Sequence, residues 1–173
     1  MLSNNTKVFI SHSSKDIKYV NAIVEFLEKI GLSEKNLFCS SVPGYGIPLG
    51  KNIYDYLADE FRTNNLLVIF VLSDNYYNSP ACLNEMGAAW ILKNEYYSIL
   101  LPNFEFKKID GAIDPQKIAI KLGDNSYTLK HGLAQLRDII ISTFELDKSS
   151  ETRWEAYRDR FIEQTSNIDP IVE

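Results

Sequence analysis

The segment Leu66-Leu-Val-Ile-Phe-Val-Leu72 consists of seven apolar residues in succession. This length is typical of a strand, and an unbroken apolar run is typical of a parallel strand that helices cover on both faces. Before it, residues 53–61 have apolar side chains at helical spacing, and after it Ser79 and Pro80 are residue types that commonly begin a helix. The segment therefore predicts an α/β fold with this strand at the centre of a mainly parallel sheet.

The alternation of strands and helices continues towards both ends of the chain. Further strands are predicted at residues 7–11, 36–40, 97–102 and 117–122, and further helices at residues 17–30, 80–94, 129–146 and 151–164. Parallel strands joined by right-handed helical crossovers give a flavodoxin-like, three-layer fold. We assign residues 1–146 to one domain and residues 147–173 to a helical extension packed on the same domain.

Some individual side chains have an expected structural role. Ser13 and Asp16 have the spacing of a capping box at the start of the first helix. Trp90 is expected in the core, and Trp154, Tyr157 and Phe161 are expected to pack the last helix onto the domain.

Composition and charge exclude several classes of protein. The chain has 173 residues, a formal net charge of -5 and a pI of about 5.1, which argues against a surface that binds nucleic acid. Its two cysteines, Cys39 and Cys82, have the spacing of neither a zinc site nor a disulfide framework. No apolar run is long enough to cross a membrane and no signal peptide is evident, so a cytoplasmic protein is expected.

Three polar segments follow the first three predicted strands, at residues 11–16, 40–50 and 73–85. The carboxyl ends of parallel strands meet at one edge of the sheet, and ligands of such folds bind at that edge. The segments are rich in small polar residues or glycine, which allow a nucleotide to approach the backbone closely. The sequence therefore predicts a nucleotide site at this edge.

The same segments resemble the motifs of the TIR (Toll/interleukin-1 receptor) domain family. Phe9-Ile-Ser-His-Ser-Ser-Lys-Asp16 is similar to the first TIR box, and residues 40–50 are similar to the BB loop. Ser79-Pro-Ala-Cys-Leu-Asn-Glu85 resembles the start of the helix that carries the catalytic glutamate in NAD-cleaving members. The resemblance covers residues 7 to about 102, and residues 154–161 are similar to stand-alone bacterial TIR proteins.

The resemblance implies an NAD glycohydrolase or cyclase with Glu85 as the catalytic residue. NAD is then the substrate, and no metal or separate cofactor is implied. One carboxylate can suffice, because the nicotinamide of NAD is already a cation and departs neutral, so no second acid has to protonate it. The residues implied for substrate binding are Phe9, Ser11, His12, Ser40, Tyr45 and Cys82.

The resemblance to stand-alone bacterial TIR proteins, such as those of Thoeris anti-phage defence, also has implications for partners. It implies self-association through the BB loop and a nucleotide product that a separate effector protein senses. The acidic charge and the lack of a long apolar run, in turn, predict no binding to nucleic acid or to a membrane.

One departure from the family pattern keeps alternatives open. Many TIR proteins carry Trp four residues before the glutamate, and here that position is Ala81. The first alternative is a non-enzymatic TIR adaptor that acts by self-association. The second is a phosphate-binding domain of the response-regulator kind, against which stands the lack of an acidic pair after the first strand, where Ser11 and His12 are found.

Overall fold

The computed structural model describes residues 5–123 and 125–168. In this part of the chain, parallel strands form a sheet in the order β2-β1-β3-β4-β5. The strands are β1 (Thr6–Ser11), β2 (Leu37–Phe38), β3 (Asn65–Leu72), β4 (Glu95–Leu100) and β5 (Ile120–Lys121). The predicted central strand is confirmed, because β3 lies in the middle and all its residues after Asn65 are buried.

Helices cover both faces of the sheet, as the three-layer prediction requires. They are α1 (Ile17–Ile30), α2 (Ile53–Thr63), α3 (Asp74–Tyr77), α4 (Pro80–Ile91), α5 (Tyr127–Phe144) and α6 (Glu151–Ser166). One core cluster joins alternate residues of β1 and β3 to α1, α5 and α6, and the other joins the remaining residues of those strands to α2, α3 and α4. The flavodoxin-like α/β fold is therefore confirmed.

The C-terminal helix α6 packs on α1. The ring of Phe26 lies 5.7 Å from that of Trp154 and 4.6 Å from that of Phe161, measured between centroids. Trp154 and Phe161 are each 3% exposed, which confirms their expected packing role, whereas Tyr157 is only partly buried. Within the described ranges, no helix combines the length and apolar character needed to cross a bilayer.

Two expectations about single residues are wrong. Trp90 is 65% exposed, because α4 buries the neighbouring Ala89 and one residue further along a helix points about 100° away. Ser13 and Asp16 do not form a capping box. Ser13 instead caps a short 3₁₀ turn, Ser14–Asp16, and Asp16 makes no side-chain cap bond to α1.

Candidate functional site

The carboxylate of Glu85 lies at the carboxyl edge of the sheet because of how α4 begins. Ser79 caps this helix by accepting a hydrogen bond from the Cys82 amide at 3.4 Å, and Pro80 occupies its first position. Glu85 then faces the end of β1, where Ser11 Oγ donates a hydrogen bond to Glu85 Oε2 at 2.5 Å. Two segments far apart in the sequence thus meet at this carboxylate.

A buried tyrosine contacts both Ser11 and the first turn of α4. The hydroxyl of Tyr76 lies 2.9 Å from Ser11 Oγ and donates to the carbonyl of Cys82 at 3.0 Å, and the residue is fully buried. Tyr76 therefore links the end of β1 to the first turn of α4. Our sequence reasoning missed it, although a tyrosine just after a central strand is a signal, since a buried hydroxyl needs a partner.

The surroundings of Glu85 favour its protonated form. Burial raises the pKa of Glu85 from 4.5 to about 7, and the hydrogen bond from Ser11 opposes that rise by stabilising the charged form. Near neutral pH Glu85 is therefore a mixture of carboxylic acid and carboxylate. A cation bound beside this group favours the carboxylate, so binding of a cation releases a proton.

Asp16 fixes the loop after β1 to the loop after β3. Its carboxylate accepts hydrogen bonds from Ser73 Oγ at 2.5 Å and from Asn75 Nδ2 at 2.8 Å. The residue is 7% exposed, so these bonds replace water around a buried charge. Its structural role is thus to hold two loops of the site together.

His12 is a buried histidine whose two ring nitrogens have different surroundings. Its Nδ1 lies 3.0 Å from the carbonyl of Ile10, and because a carbonyl only accepts, Nδ1 carries the proton. Burial lowers the pKa of His12, which keeps the ring neutral. Nε2 is then a bare acceptor, and it is buried with no partner among the described residues.

An open cleft of about 630 Å³ separates α2 from α4 and contains the Glu85 side chain. This volume is in the usual range for small-molecule sites. His12, Ser40 and Cys82 line it, and their role in substrate binding stays a prediction. Among the described residues of this lining, Glu85 is the one acidic side chain and Arg62 the one basic side chain. The other lining side chains are uncharged.

Three predicted substrate-binding residues do not line the cleft. Ser11 is fully buried and contacts Glu85, so it acts on the carboxylate from within the protein. Phe9 is 1% exposed and stacks on Phe38 with 5.4 Å between centroids, which places it in the core. Tyr45 turns towards α1, where its hydroxyl donates to Glu28.

The two cysteines are buried and protonated. Burial raises the pKa of the Cys82 thiol and raises that of Cys39 to about 12, so neither is an activated nucleophile. Within residues 5–123 and 125–168, no three His, Cys, Asp or Glu side chains are arranged to hold a metal ion.

Comparisons with known proteins identify the family. The model described as "TIR domain" matches residues 8–137, which include Ser11, Tyr76 and Glu85. The chain is also 38% identical over 157 residues to "Uncharacterized protein YddK" of Bacillus subtilis (strain 168), an alignment that covers 90% of this chain and 55% of that protein. The chain thus spans about half the length of this curated relative. It belongs to the TIR domain family and not to the response regulators.

Proposed function

We propose that this chain cleaves the bond between nicotinamide and ribose in NAD, with Glu85 as the catalytic residue. The observation that supports this most is the carboxylate of Glu85, which lines an open cleft and accepts a hydrogen bond from Ser11 at 2.5 Å. A carboxylate held in this way offers negative charge where positive charge develops, with little reorganisation during the reaction. Membership of a family that includes NAD-cleaving enzymes supports the same proposal.

In the proposed reaction, the bond between N1 of nicotinamide and C1′ of the ribose breaks. Both bonding electrons leave with nicotinamide, which becomes neutral, and the ribose carries positive charge until a nucleophile adds to C1′. Water gives ADP-ribose and one proton, a group of the same molecule gives a cyclic form, and another nucleophile gives a conjugate. A pKa of about 7 suits Glu85 to accept the proton that an attacking water loses.

The wider role follows from the kind of product. We propose that the product is a nucleotide signal in bacterial anti-phage defence, that a separate effector protein senses it, and that the enzyme works in the cytoplasm. Self-association through the loop of residues 40–50 is part of this proposal. That loop has an exposed backbone at Gly44 and Gly50, where a side chain would meet no neighbouring atom.

A non-enzymatic TIR adaptor remains the second candidate because of one surface. Trp90, Ile91 and Leu92, at the end of α4, are 65%, 70% and 49% exposed, which is an unusual amount of apolar surface for one turn. Such a surface suits contact with another protein. Ala81, in the position where many TIR proteins carry Trp, also favours this candidate.

Incubation of the purified chain with NAD, followed by mass spectrometry, tests the proposal. The expected result is release of nicotinamide together with ADP-ribose, a cyclic form or a conjugate, each identified by its mass. The assay is run across a range of protein concentrations, because the proposed activity needs self-association. Intact NAD at concentrations where the chain is shown to be oligomeric contradicts the enzyme and favours the adaptor.

A further inference from the structure

The mouth of the cleft is formed by the first turns of two helices. Helix α2 begins after Asn52 and α4 begins after Ser79, and each residue caps its helix through its side chain. Both helices follow loops at the carboxyl edge of the sheet and run back towards its other edge, so their first turns lie at the same end of the cleft. In these turns the cleft is lined by Tyr54 of α2 and Ala81 of α4.

These two side chains differ greatly in size. Ala81 leaves the α4 wall open, whereas Tyr54 offers an aromatic ring that is 70% exposed. Phe61, the other aromatic residue of the lining, is 9% exposed and belongs to the core. Among the described residues of the cleft, Tyr54 is therefore the aromatic ring that a ligand can reach.

The backbone of Tyr54 is held in place by the start of its helix. The Asn52 side chain accepts hydrogen bonds from the amides of Tyr54 at 2.9 Å and of Asp55 at 3.2 Å. The ring is thus attached to a fixed point at the mouth of the cleft and does not belong to a mobile loop tip. Stacking of a planar ligand then has to order the side-chain torsions of Tyr54 but not its backbone.

We propose that Tyr54 binds the nicotinamide ring of NAD by stacking, which makes it a binding residue of the reaction proposed above and rests on that function. Ala81 is one helical turn before Glu85, about 6 Å along the axis. A ribose held at Glu85 therefore places the base attached to it within reach of the slot between Ala81 and Tyr54.

Charge distinguishes this slot from the opposite end of the cleft. The nicotinamide ring of NAD is a cation, and the electron-rich face of a tyrosine ring attracts cations. Glu85 adds negative charge next to the slot, whereas Arg62, the basic side chain of the lining, lies in the last turn of α2 at the far end. The positive ring is thus disfavoured beside Arg62, whereas beside Tyr54 the electron-rich ring face and the charge of Glu85 act against the positive N-terminal ends of α2 and α4.

Stacking on a cation has a consequence for the kinetics. The nicotinamide ring is charged in bound NAD and becomes neutral as the bond to ribose breaks. Tyr54 therefore stabilises the substrate at least as much as the transition state. Its loss should raise KM and leave kcat little changed. Neutral nicotinamide should then bind more weakly than the substrate, which favours its release.

The experiment compares Tyr54→Leu, Tyr54→Phe and the control Tyr127→Leu, which removes an 82% exposed tyrosine on α5, on the other face of the sheet. For Tyr54→Leu, KM for NAD should rise by about ten- to a hundred-fold, as for loss of one stacked base. Its kcat should stay within about threefold. Tyr54→Phe keeps the ring and should behave as wild type, as should the control.

A binding measurement separates this inference from the proposed function. Calorimetric titration of NAD into Glu85→Gln, with and without Tyr54→Leu, reads binding without turnover, and Kd should rise by about ten- to a hundred-fold in the double variant. ADP-ribose, which lacks nicotinamide, should bind both proteins equally. The role of Tyr54 is overturned if NAD binds both proteins equally or binds neither. It is also overturned if Tyr54→Leu weakens the binding of ADP-ribose as much as that of NAD. If wild type cleaves NAD and Tyr54→Leu has the same KM as wild type, the role of Tyr54 is overturned, but the proposed function is not.

Discussion

Replacement of Glu85 by Gln removes the charge of the carboxylate and keeps the size of the side chain. The amide oxygen can still accept the hydrogen bond from Ser11, so the fold should be retained. If the carboxylate stabilises the cationic transition state, turnover of NAD should fall on the order of a hundred- to a thousand-fold. KM should change much less, because the positive charge on the ribose appears only as the bond breaks.

The same substitution should make the protein more stable at alkaline pH. The folded pKa of Glu85, about 7, lies above the ordinary value of 4.5, so the folded protein retains a proton that the unfolded chain releases. The free energy of unfolding therefore falls as pH rises through this window, and the loss is complete above pH 7. The difference between the two pKa values limits this effect to about 3 kcal/mol. Glu85→Gln should thus melt several degrees higher than wild type at pH 8 and close to it at pH 5.

The assay measures NAD consumption and melting temperature for wild type, Glu85→Gln and a control, Glu163→Gln, which alters an exposed glutamate of α6. The control should match wild type in both measurements. Equal turnover of wild type and Glu85→Gln at equal melting temperature would remove Glu85 from the mechanism. A drop in melting temperature of Glu85→Gln at pH 8 would refute the assignment of a raised pKa.

Three further predictions concern pH, association and the last helix. The kcat/KM for NAD, which reports the free enzyme, should rise with pH through about 7 as Glu85 ionises. Ser11→Ala should move this midpoint to higher pH, because it removes the hydrogen bond that lowers the pKa of Glu85, and an unchanged midpoint contradicts this. Turnover per molecule should increase with protein concentration, and a constant value from a species shown to be monomeric by light scattering excludes self-association. Trp154→Ala should cost about 3 to 5 kcal/mol in urea unfolding, since the ring is buried against Phe26, and a cost below about 1 kcal/mol contradicts its packing role.

Local signals in the sequence were sufficient for the main elements. The apolar run of residues 66–72 lies in β3, and Gly31 ends α1 with a φ of 127°, a conformation that favours glycine. Ser79 and Pro80 begin α4 where they were expected. The predicted strands at residues 36–40 and 117–122 are shorter, only Leu37–Phe38 and Ile120–Lys121, because strand length depends on pairing with a neighbour.

The site was predicted less completely than the fold. Glu85, which was predicted from its motif, lines the candidate cleft together with His12, Ser40 and Cys82, and the roles of these residues stay predictions. Tyr76 was missed because its role depends on a hydroxyl contact with Ser11, which lies 65 residues away in the chain.

Sequence alone determined the periodicity of strands and helices, the caps that start and end them, and therefore the edge of the sheet at which polar residues gather. Only the tertiary structure decided which way each side chain of that edge faces. Phe9 and Tyr45 occur in the expected segments, yet one is buried in the core and the other bonds to α1. The physical reason is that caps and periodicity depend on neighbours within about four residues. Burial, pKa and access to a cleft depend instead on groups that the fold brings together from distant parts of the chain.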